Sequence, residues 1–339
     1  MIFICKNEKL SKRTIKNGFG LCLLSLFVSL LALDISLSSA APLPASVKEK
    51  PVAGVPHPFF WEIKGPKGQV AHLMGTMHIP DERWARLPAE LLSQLDRADA
   101  VYGELNLTDK TLMSAKLMES ALLKGGETLE GLIGPALYKE LDLYLKTRGQ
   151  SALFMNGMHP KMAEMTLGLL DVMPLLMSGK PVLDEWLLQR AKRAGKEVGG
   201  VETVEEQLAA LFYGDLDDAK SSLRYTLSLL KKKEAQGIKP FDALLRAYFS
   251  GRESSVLKVL AEELKEAPSS SVQAMEQLLD KRNEVMIKRV ADLIDRQPKR
   301  RFVFAFGVAH FVGPRGVVEG LRKRGFQVSR KFAPAQHAE

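Results

Sequence analysis

The chain has 339 residues, 46% of them hydrophobic and 26% charged, a balance that builds a packed globular protein and excludes a disordered or collagen-like one. Its formal charge of +8 is mild for this length and gives no ground for a nucleic-acid partner. The only two cysteines, Cys5 and Cys22, lie near the N-terminus.

Met1 to Gly20 carries Lys6, Lys9, Lys12, Arg13 and Lys16 against the single acid Glu8. Leu21 to Leu33 (LCLLSLFVSLLAL) is an apolar run too short for a comfortable membrane span, and Ser38-Ser39-Ala40-Ala41 follows it. This order reads as a secretory signal peptide over residues 1–40, cleaved after Ala40, and predicts a periplasmic or secreted protein. The alternative is an anchor formed by an uncleaved signal. Cleavage leaves a mature charge of +5 and no cysteine, hence no disulfide, thiolate nucleophile or sulfur metal ligand.

Residues 41–58 (APLPASVKEKPVAGVPHP) lack periodicity and read as a flexible linker. Order is expected from Phe59, where FFWEIKG and QVAHLMGT flank Pro66-Lys67-Gly68 as a β-hairpin ending at Thr76. LPAELLSQLDRAD has helical spacing and precedes a strand at Ala100 to Leu105. From Asp109 onward apolar residues recur at helical intervals, through LMSAKLMESALL, ALYKELDLYLKTR and KMAEMTLGLLDVMPLLM. Leu183 to Ala194 predicts a helix, Lys196 to Val201 a short strand, and Glu202 to Phe212 a further helix. Helices follow at Asp215 to Gln236, Pro240 to Lys265 and Ser270 to Arg296. The end returns to strand, turn, helix and strand in RFVFAFG, VAHFVGPRG, VVEGLRKRG and FQVSRKFA. The fold class expected is α/β: a mixed sheet formed by the N- and C-terminal strand regions, in one unit over residues 59–332 with a helical insertion at about 109–296 and a tail at 333–339.

Polar residues at the ends of apolar strands are the candidates for chemistry. Gly75-Thr76-Met77-His78 follows one such strand and Gly307-Val308-Ala309-His310 another, placing His78 and His310 where open α/β sheets bind ligands. Glu104, in Val101-Tyr102-Gly103-Glu104, is an acid among apolar neighbours. It is either on the solvent face of an edge strand or buried with a partner. His78, His310 and Glu104 are the donor types that hold Mn²⁺, Co²⁺ or Zn²⁺ without sulfur. Glu202 repeats the acid at a strand exit, and also reads as ordinary chemistry of a helix start. Arg282, in an amphipathic helix, can neutralise an oxyanion or pair with one of the acids. His72 within a strand, His159 before Pro160 and His337 in the tail are weaker candidates, and neither a Gly-x-Ser-x-Gly nor a Walker loop is present.

HLMGTMH, VYGEL, the stretch Leu183 to Val198 with Glu202 to Leu208, Arg282-Asn283 and FGVAHFVGPRGVVEGLRKRGFQV together resemble the TraB/GumN family, whose wider group includes the Tiki proteases. The resemblance runs from about Phe59 to Val328. It implies a fold distantly similar to erythromycin esterases and ChaN-like proteins, and a divalent-metal protease activity with Mn²⁺ or Co²⁺. By position it places metal ligation on His78, His310 and Glu104, catalytic roles on Glu104 and Arg282, and a less defined role on Glu202. The reading is a hydrolase acting on a peptide or protein substrate through a metal-activated water. Two alternatives stand beside it: a non-enzymatic envelope protein that binds a ligand or partner through the same cleft, where the cationic balance and the methionine-rich segment 155–177 could serve an acidic or hydrophobic partner, and a hydrolase of esters or glycan-linked substrates on the same site. The signal-peptide reading predicts that the exported chain begins at Ala41, and intact-mass analysis of secreted protein checks it.

Overall fold

The computed structural model describes residues 54–106, 110–239 and 241–334. Residues 1–40, read above as a signal peptide, residues 41–53 of the segment read as a linker, residues 107–109 and 240, and the last five residues of the tail lie outside them. Among the described residues six strands form one mixed sheet: β1 Phe60–Lys64, β2 Val70–Thr76, β3 Ala100–Gly103, β4 Glu197–Gly200, β5 Phe302–Gly307 and β6 Gln327–Arg330. Their order across the sheet is β4-β3-β5-β2-β1-β6. The first four run parallel, and β1 is antiparallel to both β2 and β6.

The last parallel strand in the chain, β5, fills the gap between the two earliest ones, with Thr76 opposite Gly307 on one side and Gly103 opposite Ala305 on the other. Its Phe302, Val303, Phe304, Ala305 and Phe306 are all buried, as a central parallel strand covered on both faces requires. All four parallel strands deliver their C-terminal ends to one edge, so His78, Glu104, Glu202 and His310 leave the sheet together.

The principal helices are α1 Ala89–Arg97, α2 Lys110–Ala121, α3 Pro135–Lys146, α4 Pro160–Leu169, α5 Leu183–Arg193, α6 Val204–Leu211, α7 Leu216–Ala235, α8 Asp242–Phe249, α9 Glu253–Leu264, α10 Ser269–Glu276, α11 Arg282–Arg296 and α12 Val317–Lys323. One hydrophobic cluster surrounds the sheet. A second is made by helices alone and joins Leu137 and Leu141 of α3, Ala163 and Leu167 of α4, and Leu223 and Leu227 of α7. Helix α4 touches both clusters, since its Met162 and Met165 belong to the first. Met155 is buried in the second, so much of the methionine-rich segment is core rather than a free surface.

The structure departs from the sequence pattern at three places. The helix expected over 240–265 is two helices, α8 and α9, interrupted at Gly251, whose φ of 67° lies in the left-handed region. The helix expected over 270–296 is α10 and α11 joined by a π turn at Gln277–Lys281. The end of the segment read as a linker is packed: Val55 is buried and donates its N–H to the Arg86 carbonyl, and Arg330 donates to the carbonyls of His57 and Pro58.

Gly75 shows why its position is glycine. Its backbone crosses so close to Phe59 that a Cβ would lie 2.7 Å from the Phe59 Cβ and 3.1 Å from a Val308 methyl. Neither neighbour is the tip of a flexible chain. Gly75→Ala is expected to destabilise the protein by about 1–3 kcal/mol through overpacking, measured as a lower urea midpoint with an unchanged slope.

Candidate metal centre

Each polar residue at the strand ends is placed by a short, regular element. Two residues beyond β2 and three beyond β5, His78 and His310 are both buried, as are Glu104, Glu202 and Arg282. The ladder between β3 and β4 continues past the strands, with Val201 N–H on the Gly103 carbonyl and Glu202 N–H on the Glu104 carbonyl. This register brings two buried carboxylates side by side. Arg282, at the start of α11 just after the π turn, reaches both: Nη2 lies 2.6 Å from Glu104 Oε2 and 2.6 Å from Glu202 Oε2, and Nε lies 3.0 Å from Glu202 Oε1. Its Nη1 donates to the Leu278 carbonyl within the π turn. Of the two roles open to Arg282, the geometry displays the pairing with acids.

The other oxygen of Glu104 faces the histidines. Oε1 accepts the Gly307 N–H at 2.7 Å and stands 3.7 Å from His78 Nε2 and 3.8 Å from His310 Nε2. Behind the rings, His78 Nδ1 is 2.7 Å from Asp184 Oδ2 and His310 Nδ1 is 2.7 Å from Asn283 Oδ1. Gln207 adds a bond to Glu104 Oε2 at 3.3 Å.

Charge in this pocket is held by its partners. Burial alone would raise the Glu104 carboxyl, but Arg282 and then the two histidines outweigh it and hold that group well below the usual carboxylate range. Burial raises Glu202 against the pull of Arg282. His310 is pushed by burial down to about 3 and is neutral. Burial opposes charge on His78 too, yet Asp184 and Glu104 overcome it and lift the imidazole to about 10.

Among the described residues no group of three or more His, Cys, Asp or Glu stands, as it is, in an arrangement that could hold a metal ion. The donor chemistry nevertheless fits a divalent cation. Three buried carboxylates stand against two cationic partners, Glu104 and Glu202 against Arg282 and Asp184 against His78, so even with His78 charged the carboxylates are in excess and burial makes that excess costly. His310 Nε2 is buried without a hydrogen-bond partner. Two donors each about 2.1 Å from one ion can be at most about 4.2 Å apart, and both histidine separations from Glu104 Oε1 meet that limit. The room between them is set by Gly307, where a Cβ would stand 3.3 Å from Glu104 Oε1, 3.5 Å from His78 Nε2 and 3.8 Å from His310 Cδ2. The φ of Gly307 is −52°, which any residue adopts, so glycine here serves space rather than backbone freedom.

Residues 59–330 match the TraB/PrgY/gumN family. The chain belongs to this family. It is similar to the metalloprotease TIKI1 of Danio rerio, at 30% identity over 80% of this chain and 62% of that protein. It is also similar to the metalloprotease TIKI1 of Homo sapiens, at 29% over 87% of this chain and 66% of that protein. An uncharacterized protein of Treponema pallidum is 27% identical over 90% of both chains. The chain spans about three fifths of the length of the first of these relatives. No solved structure matches it.

In this member of the TraB/PrgY/gumN family the five residues singled out from sequence, His78, Glu104, Glu202, Arg282 and His310, form one contiguous buried group. Sequence reading assigned no role to Asp184, Asn283, Gln207 or, as a spacer, Gly307. An acid in the first turn of a helix, such as Asp184, is the normal complement of the helix dipole and carries no signal of its own. The remaining histidines serve structure: His72 stacks on Phe60 at 5.0 Å with its pKa pushed by burial to about 4, and His159 caps α4 by accepting the Lys161 N–H. His337 lies outside the described residues.

Arg282 leaves two buried acids uncompensated when it is removed. Arg282→Met is expected to cost about 3–5 kcal/mol, read by urea unfolding, and Glu202→Gln added to that variant recovers part of the loss.

Proposed function

We propose that the chain is a metal-dependent hydrolase of the cell envelope that cleaves amide bonds in a peptide or protein substrate. The observation that carries the reading is the convergence of His78 Nε2 and His310 Nε2 on Glu104 Oε1 around the space left by Gly307. His78, His310 and Glu104 would hold a divalent ion of Mn, Co or Zn. When bound, such an ion supplies an acidified water as nucleophile and polarises the scissile carbonyl.

The chain's own residues do the rest. Glu104, kept ionised by Arg282, offers Oε1 to the ion side and Oε2 to the guanidinium. Glu202, locked on the same guanidinium, fixes Arg282 and is the acid next in line to accept or return a proton at its carboxylate. Burial of the group excludes bulk water, which strengthens every charge interaction in it. The names of the similar metalloproteases support the reaction class. The N-terminal segment read as a signal peptide supports the envelope, and no helix among the described residues is long and apolar enough to cross a membrane.

The test uses the mature chain. Bound metal near one equivalent by mass spectrometry, peptide hydrolysis lost on chelation and regained on adding Mn²⁺ or Co²⁺, and loss of both in His78→Ala and His310→Ala are expected. Gly307→Ala is expected to keep the fold, because its backbone is unstrained, and to lose the metal, because the methyl occupies the space between the donors. Metal content unchanged in all three variants overturns the reading.

A further inference from the structure

The two histidines are held from behind by different chemistry. Asp184 and Asn283 are both buried, and each is the second residue of its helix, Asp184 in α5 and Asn283 in α11. A carboxylate can only accept, so the 2.7 Å contact between Asp184 Oδ2 and His78 Nδ1 requires His78 to donate from Nδ1. The amide of Asn283 could present oxygen or nitrogen to His310, and a third group decides. Asn283 Nδ2 lies 3.0 Å from the main-chain carbonyl of Arg315, which only accepts, so the amide nitrogen is committed there and the oxygen faces His310. His310 Nδ1 must therefore carry the proton in its 2.7 Å contact with Asn283 Oδ1, which leaves the buried Nε2 as a bare lone pair.

We propose that Asp184 and Asn283 are positioning residues that, by accepting from Nδ1, hold the proton of each imidazole at that atom and aim both Nε2 atoms at Glu104, and that their unequal charge makes His78 the stronger metal ligand and His310 the weaker. An anion behind an imidazole raises the basicity of its far nitrogen, whereas a neutral amide fixes orientation with less electronic effect. The loop that follows His310 thus reports back on it, through the Arg315 carbonyl and Asn283. The difference in ligand strength rests on the metal centre proposed above. The protonation pattern of His310 does not.

Two measurements separate these parts. In metal-free wild-type protein labelled with ¹⁵N-histidine, His310 is expected to show a protonated Nδ1 and a bare Nε2 by NMR, and Asn283→Ala is expected to abolish that preference. Finding the Nε2–H form in the wild type overturns the proposal, whatever the fate of any variant. In a Co²⁺ titration of variant protein shown to be folded by circular dichroism, Asp184→Asn, which keeps an acceptor and removes only the charge, is expected to weaken binding roughly 10–100-fold and to shift the visible absorption of bound Co²⁺. Wild-type affinity in Asp184→Asn, with wild-type protein binding Co²⁺ normally, overturns the unequal-ligand part. A wild-type protein that binds no Co²⁺ defeats the metal reading and the unequal-ligand part with it, and the His310 protonation pattern then decides the positioning role alone.

Discussion

The site is built around one buried guanidinium. Arg282 satisfies Glu104 from the end of β3, Glu202 from the end of β4 and the Leu278 carbonyl of the π turn, so three separate stretches of chain meet on its donors. Ions buried at this depth lose their hydration, and only close pairing with full hydrogen bonding offsets that loss. The arrangement is therefore all or nothing: the carboxylates can be buried because Arg282 is there, and Arg282 can be buried because the carboxylates are. One consequence is directional. With Oε2 committed to Arg282, Glu104 has a single oxygen left to turn toward His78 and His310.

The two Gly-x-x-His segments look alike in sequence and obey different physics. Gly75 is confined by packing, because Phe59 and Val308 occupy the place of its side chain. Gly307 has ordinary backbone angles and no such crowding from the core, and the space beside it is bordered by Glu104 Oε1, His78 Nε2 and the ring of His310. Their registers differ by one residue as well, since Thr76 rather than Gly75 lies opposite Gly307. The resulting stagger brings the two histidines to one carboxylate oxygen from two directions without a collision between their strands.

Much of this was legible beforehand because it depends on local signals. The strands announced themselves as apolar runs, and His78, Glu104 and His310 as polar residues just past their ends. The long α7 followed its amphipathic pattern closely. The helix expected over 240–265 failed because apolar spacing survives a one-residue interruption, so the break at Gly251 leaves the pattern nearly intact. The π turn leaves no mark on the pattern for a related reason: it inserts a change of phase while every residue around it remains helical in character. Asp184 and Asn283 were hidden more deeply. An acid in a first helical turn and an amide beside an arginine are unremarkable in sequence, and their function exists only where a histidine from another element reaches them.

By itself, the sequence determined the element types, the α/β class and the residues with the chemistry to bind a cation. These follow from side-chain periodicity and from the cost of burying a polar group, both of which are properties of short windows. Only the tertiary structure decided that β5 enters between β3 and β2, that Arg282 pairs with two acids rather than standing open, and that an aspartate backs one histidine and an asparagine the other. Those outcomes depend on contacts between residues separated by 27 to 203 positions, such as Asn283 with His310 and Glu104 with Gly307. No local pattern encodes a partner at that distance. It is fixed when buried charges and unsatisfied donors find the arrangement that leaves the fewest of them alone.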